Sequence, residues 1–245
     1  MSAISVSTPI ASFRSMSRSR RTSLLAGLFF AATFVTSIAA LLLYEPVLNH
    51  TDFILGSGDV TKVTMGAVLE LLLIIANIGT ALVLYPVLRR QSEVAALGWV
   101  AARIMESAFI AVGILALLAI VTLRQDSGAE PATLVAIGES LVAVHDWSFW
   151  VGPGFVVGIG NGLLLGYLMF KSGLVPRGMA MLGLVGGPML CLAGFAVVLG
   201  VIDHDSVIKA VATIPEILWE ASLTFYLIFK GFRDSPIVRE MDAED

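Results

Sequence analysis

Cysteine is almost missing from this sequence. Cys191 is the only one in 245 residues, which excludes an intrachain disulfide framework, and its apolar neighbours mark it as a small packing residue. Charge is scarce as well. Asp, Glu, Lys and Arg make up 14% of the chain and hydrophobic residues 57%, against roughly 25% and 45–50% in soluble domains, so a water-soluble fold is not expected. The formal charge of −4 offers little to a polyanion, and nucleic acid is not an expected partner. Catalytic patterns are missing too. No glycine register fits a dinucleotide-binding turn, no two histidines have the i, i+4 spacing of a helical zinc motif, and no Ser/His/Asp or Cys/His arrangement stands out. The reading leans away from an enzyme and implies no cofactor.

What the sequence does have is long apolar runs. Crossing a hydrocarbon core takes roughly 20 helical residues, and six stretches reach that length, at about residues 22–44, 63–88, 97–123, 147–170, 179–201 and 207–229. The fold class is therefore all-α, a polytopic transmembrane bundle of about six spans in a lipid bilayer. Residues 1–21 read as a basic, mobile N-terminal arm, 22–232 as the membrane domain and 233–245 as an acidic tail. The first span outruns the roughly 7–15 apolar residues of a signal peptide and ends at Glu45-Pro46 without a cleavage pattern, so it is expected to be retained. The apolar segment 133–145 is short, carries Glu139, and is left either as an outer helix or as an extension of the fourth span.

Basic residues orient the spans. Alternating crossings put Arg14, Arg18, Arg20, Arg21, Arg89, Arg90, Lys171, Arg177, Lys230, Arg233 and Arg239 on one side, against Lys62, Arg124 and Lys209 on the other. Eleven against three places both termini in the cytoplasm, in a cytoplasmic (inner) membrane. Aromatic residues agree, with Tyr44, Trp147 and Trp150 at the outer interface and Tyr85, Trp99, Tyr167 and Tyr226 at the inner one. Only Trp219 lies deep.

Four stretches are recognisable: His145-Asp146-Trp147, the run Gly152-Pro153-Gly154-Phe155-Val156-Val157-Gly158-Ile159-Gly160-Asn161-Gly162, the turn Ser172-Gly173-Leu174-Val175-Pro176-Arg177, and Thr213-Ile214-Pro215-Glu216. With these, the chain from about residue 21 to 232 resembles a family of multi-pass bacterial membrane proteins known only as a domain of unknown function. The resemblance implies the six spans and no substrate or reaction.

The fourth span places Gly154, Gly158, Gly162 and Gly166 at successive i+4 steps, a face without side chains, and Gly183 and Gly187 repeat the device on the fifth. Small-residue seams let helix backbones approach closely in lipid, where no hydrophobic drive pulls helices together. The plainer expectation is a contact inside one protomer; a homo-oligomer seam is the sharper alternative.

Ionisable residues inside the spans are the candidate site: Glu70 and Asn77 on the second, Arg103 and Glu106 on the third, Asn161 on the fourth, Glu216 and Glu220 on the sixth. Two central glutamates cost the sixth span about 5–7 kcal/mol of insertion free energy, and its Val, Ile, Leu and Phe residues return about 3–7. The helix needs partners for them. Glu216, Glu220, Thr213 and Thr224 share a face, Glu70 and Asn77 are seven apart, and Arg103 and Glu106 three apart, so each set forms a stripe. Pro215 removes the donor for the Val211 carbonyl and should kink the helix beside the acids. The spacing predicts Glu216 and Glu220 opposite Arg103 and Glu106. One arginine cannot neutralise four carboxyls, so at least one is expected to hold its proton.

Two functions fit. A proton- or cation-coupled transporter or permeation protein needs intramembrane carboxyls that gain and lose a proton. A structural or sensory subunit needs the same cluster only to fix packing. A metal-dependent membrane enzyme built on His145, Asp146 and the other outer residues His50, Asp52, Asp203, His204 and Asp205 ranks third, because outer loops are commonly polar.

Overall fold

In the computed structural model the described residues are 16–126, 128–203 and 206–244. Most of the basic arm, with Arg14, and the outer residues His204 and Asp205 lie outside them. The described chain is helical, without strands. Its elements are α1 (Arg18–Leu43), α2 (Glu45–Asn49), a 3₁₀ turn (Thr51–Leu55), α3 (Val60–Leu88), α4 (Glu93–Asp126), α5 (Pro131–Phe149), α6 (Gly166–Ser172), α7 (Arg177–Val198), α8 (Val207–Phe229) and α9 (Pro236–Ala243). Between α5 and α6 the helix continues as two π-helical stretches, Trp150–Val156 and Gly158–Leu165.

Six helices are long and apolar enough to cross a membrane. The fourth is one run, Pro131–Ser172, of 42 residues, so the segment 133–145 is an extension of that span. At about 1.5 Å per residue α-helical geometry would carry such a run roughly 60 Å, twice the roughly 30 Å hydrocarbon core. A large part of it therefore stands outside the membrane or crosses it tilted.

The spans alternate in direction and follow one another round a closed ring. Each packs on its sequence neighbours, and α8 returns against α1. Start and stop signals are local. Ser17, Asp59 and Ser206 cap α1, α3 and α8 by accepting bonds from Arg20 N, Thr61 N and Ile208 N, which satisfies amides that a helix start leaves unpaired. Gly173 turns the chain after α6 in the left-handed region, at φ +68°, where a Cβ would be strained.

Residues exposed on the ring's outside are apolar, among them Val35, Leu82, Leu115, Leu192 and Phe225, as lipid contact requires. Inside, the half of the bundle nearest the termini is filled by Leu84, Leu88, Trp99, Leu165, Leu168, Trp219, Leu223 and Leu227. The opposite half has a second apolar cluster, with Tyr44, Phe53, Ile54, Val63, Leu117 and Ile120, and a cavity beside it lined in part by Tyr44.

Both ends of the described chain meet at one end of the bundle. Residues 18–21, read from sequence as part of the arm, form the first turn of α1, and the acidic tail folds as α9 beside it. Asp242 accepts from the Ser19 amide at 2.8 Å and from its hydroxyl at 2.7 Å, and Glu244 joins Arg18 at 2.9 Å and Arg90 at 2.7 Å. At the far end Arg124 donates to the carbonyl of Ser57 and to those of Phe53 at 2.9 Å, Gly56 at 2.6 Å and Gly58 at 3.0 Å, pinning the loop before α3 to α4.

Candidate functional site

The glycine stripe sets the geometry of the site. Pro153 has no amide to donate and its ring disfavours the α-helical approach to the preceding turn, and around it the chain takes the wider π turn, seen in the Val157 amide reaching back to Gly152 O. Such bulges recur at functional sites. Gly158, Gly162 and Gly166 then lie against α7: a Cβ on Gly158 would meet Gly187 O at 2.8 Å, one on Gly162 Gly187 N at 2.8 Å, and one on Gly166 Leu184 N at 3.2 Å. The seam lies inside one protomer. Gly154 belongs to it only by spacing, since its Cβ would meet Trp150 of its own helix at 2.7 Å. Gly183 instead admits Trp219 of α8, whose Cδ1 lies 2.8 Å from where a Cβ would stand. Cys191 packs at the seam, its Sγ 3.0 Å from the Cβ position of Gly158.

Two polar groups sit within the ring. In the first, Arg103 donates to Glu106 Oε2 at 2.7 Å and to Asn77 Oδ1 at 2.5 Å, and Asn77 Nδ2 donates to Glu106 Oε1 at 3.1 Å. All three side chains are buried. Each therefore satisfies another in a closed triangle joining α3 and α4. Across from it, Asn161 is a hub: its Oδ1 accepts from Trp99 Nε1 at 2.9 Å, its main-chain carbonyl accepts from Trp219 Nε1 at 2.9 Å, and its Nδ2 donates to Glu220 Oε1. A cavity of about 140 Å³ separates the triangle from the hub, lined among others by Thr33, Asn77, Arg103, Glu106, Phe149, Pro153 and Glu220.

The second group is Glu70, which accepts from the Tyr44 hydroxyl at 2.9 Å and lies within electrostatic reach of His145. Glu70, Tyr44, His145, Phe149, Trp150, Pro153, Lys209 and Thr213 are among the residues lining a cavity of about 280 Å³. His145 is buried; its Nδ1 lies 3.2 Å from Asp146 and its Nε2 has no hydrogen-bond partner among the described residues. Lys209 Nζ rests 3.7 Å from the Trp150 ring centroid.

The expected site is thus brought together in part. Glu220 faces Arg103 and Glu106 across the smaller cavity. Glu216 does not line that cavity. It turns to the glycine seam, where its Oε2 lies 2.7 Å from the Cβ position of Gly162 and 3.0 Å from that of Gly186, and neither carboxyl oxygen has a hydrogen-bond partner among the described residues. The first span, absent from the expected cavity, supplies Thr33, Phe34 and Ser37. Trp99 is not a belt residue but fully buried, and Tyr44 spends its hydroxyl on Glu70. Both looked interfacial because they lie near the ends of their spans; helix phase turned them inward. Of the outer histidines, His50 pairs with Glu45 at 3.1 Å, and among the described residues no three His, Cys, Asp or Glu side chains come together as metal ligands do.

A family model described as a domain of unknown function (DUF4386) matches residues 25–231. No curated protein and no solved structure matches the chain.

Proposed function

We propose, starting from the fact that this chain belongs to the DUF4386 family of unknown function, that it is a small proton- or cation-coupled transporter or permeation protein of the inner membrane, with both termini cytoplasmic. The observation that carries the reading is that Phe149 and Pro153 line both cavities. The Glu70 and His145 chamber and the Arg103, Glu106 and Glu220 chamber therefore adjoin at one wall, where α5 passes into the first π-helical stretch. A proton or cation passing that wall would move between carboxyl groups and never face lipid, which is the condition for crossing a low-dielectric core.

The apolar fill toward the termini closes the path on that side, so the bundle has the form of a carrier whose terminal end is shut and must open for release. The excess of Lys and Arg on the terminal side supports a cytoplasmic placement of that side. Glu216, buried without a hydrogen-bonding side chain, supplies a further carboxyl whose polarity a proton, water or cation would satisfy.

The test reconstitutes the purified protein in liposomes and follows internal pH under imposed proton and sodium gradients. Flux above empty liposomes that disappears in folded Glu70→Gln and Glu220→Gln variants supports the reading; liposomes no different from protein-free ones under every gradient reject it. Orientation is checked by cysteine labelling in a Cys191→Ser background, where a cysteine replacing Glu240 should react only from inside.

A second reading has its own observation. The Arg103, Asn77 and Glu106 triangle is closed on itself, as a brace that only fixes packing would be, in a structural or sensory subunit. It would leave Glu106→Gln without effect on any flux and reduce only stability.

A further inference from the structure

The transport reading uses the ring's interior and leaves one charged cavity unexplained. It lies at the terminal end, where the turn after α6, the start of α7 and the start of α9 converge. Its volume is about 380 Å³, and Ser172, Gly173, Arg177, Arg233, Asp234, Ser235 and Arg239 are among the residues that line it. Three guanidinium groups meet one carboxylate. Asp234 is taken by Arg239 at 3.3 Å, which leaves Arg177 and Arg233 without a carboxylate partner among the described residues.

Like charges are gathered here by a built scaffold. The Arg233 amide donates to Leu174 O at 2.8 Å, tying the segment before α9 to the turn after α6. Arg177 holds its guanidinium 5.6 Å from the Phe170 ring centroid, and Ser172 and Ser235 are buried with their hydroxyls anchored to neighbouring backbone. Ser235 caps α9 and Gly173 provides the left-handed turn that opens the floor. Two arginines without a carboxylate partner among the described residues, on one cavity with Arg239, make a cationic surface that an anion would neutralise.

From this geometry we infer that the cavity formed by Arg177, Arg233, Arg239, Ser172 and Ser235 binds a phosphate group, as a phosphodiester or phosphomonoester. Arginine forks match phosphate oxygens bidentately, and a tetrahedral anion can take bonds from outside a single plane, where a carboxylate accepts mainly within its own. The cavity's Arg233 follows by four residues the end of α8 at Phe229, itself an exposed apolar side chain. A position just past the end of an apolar span favours an anionic phospholipid headgroup over a soluble phosphate, since basic pockets at membrane interfaces hold such headgroups.

The inference is independent of transport and is tested by binding alone. The full chain is placed in nanodiscs of phosphatidylcholine with and without phosphatidylglycerol, extracted, and weighed by native mass spectrometry; inorganic phosphate is titrated separately against thermal stability in detergent. The expected result is phosphatidylglycerol retained over phosphatidylcholine, a preference reduced by about an order of magnitude in the double variant Arg177→Gln, Arg233→Gln and unchanged in Arg89→Gln, an exposed basic residue on the same side. Stabilisation by inorganic phosphate that the double variant loses, without lipid preference, assigns the site to soluble phosphate. Overturning results are the absence of both effects, or equal loss in Arg89→Gln, which would reduce the effect to general surface charge. All three positions are exposed, so the variants are expected to fold.

Discussion

Trp99 and Asn161 meet in the centre of the bundle through an indole N–H that donates to the amide oxygen at 2.9 Å. The bond joins the third span to the π-helical stretch of the fourth, and it holds Asn161 so that its amide nitrogen can reach Glu220. A residue that looked like one more polar side chain in a glycine-rich run is thus the joint between the aromatic fill and the carboxyl cavity.

Asn161→Ala should leave the Trp99 N–H and a Glu220 oxygen without partners, and each buried orphan costs about 1–3 kcal/mol. Thermal unfolding in detergent should shift down accordingly. In a Trp99→Phe background the additional cost should shrink, because the donor is already gone. Equal costs in both backgrounds would show that the bond carries no stability.

The seam predicts a rank order among alanine substitutions. Gly162→Ala should destabilise most, since its methyl would meet Gly187 N at 2.8 Å and Glu216 Oε2 at 2.7 Å; Gly166→Ala, with its nearest neighbour at 3.2 Å, should cost less. Gly178, exposed at the start of α7 with nothing within 4 Å of its Cβ position, should tolerate alanine or gain about 0.4–1 kcal/mol. Thermal midpoints in one detergent decide it, and a Gly162→Ala protein as stable as Gly178→Ala would refute the close approach.

Tyr44→Phe and Glu70→Gln should behave differently although they touch the same bond. Phenylalanine removes the Tyr44 hydroxyl, the one hydrogen-bond donor to Glu70 among the described residues, and should destabilise by about 1–3 kcal/mol. Glutamine can still accept from Tyr44 through its carbonyl oxygen, so it should keep the fold while abolishing the flux assigned to Glu70. Loss of folding in both would make Glu70 a structural residue only.

The clasp between α9 and the ends of α1 and α3 should open in acid. Hydrogen bonds from Arg90 hold the exposed Glu244 carboxyl below the ordinary glutamate range. A depressed folded-state value means the contribution is complete above the unfolded value of about pH 4.3 and is lost as pH falls through the lower folded one. Hydrogen exchange in α9, corrected for the intrinsic effect of pH, should therefore report protection at neutral pH and release in acid, with release also promoted by about 1 M salt. Glu244→Gln should flatten the acid response; an unaltered response would place the switch elsewhere.

The sequence by itself determined the number of spans, their approximate limits and the alternation of their ends, because span length and apolar composition answer to the thickness of the bilayer and not to neighbouring helices. It also marked the polar candidates, since any ionisable residue in such a run is conspicuous. Helical phase went further and put Glu220 opposite Arg103. It could not separate Glu216 from Glu220: the two are one turn apart on the same face, and only the depth of the Gly162 and Gly186 contacts decided that Glu216 meets bare backbone while Glu220 meets Asn161. Nor could it draw Tyr44, Trp99 and His145 inward, for residues near span ends look interfacial until the neighbouring helices are in place. Pairing across a ring depends on the rotation and height of each helix against the next. Those are set by side-chain packing between distant parts of the chain, and tertiary structure alone fixed them here.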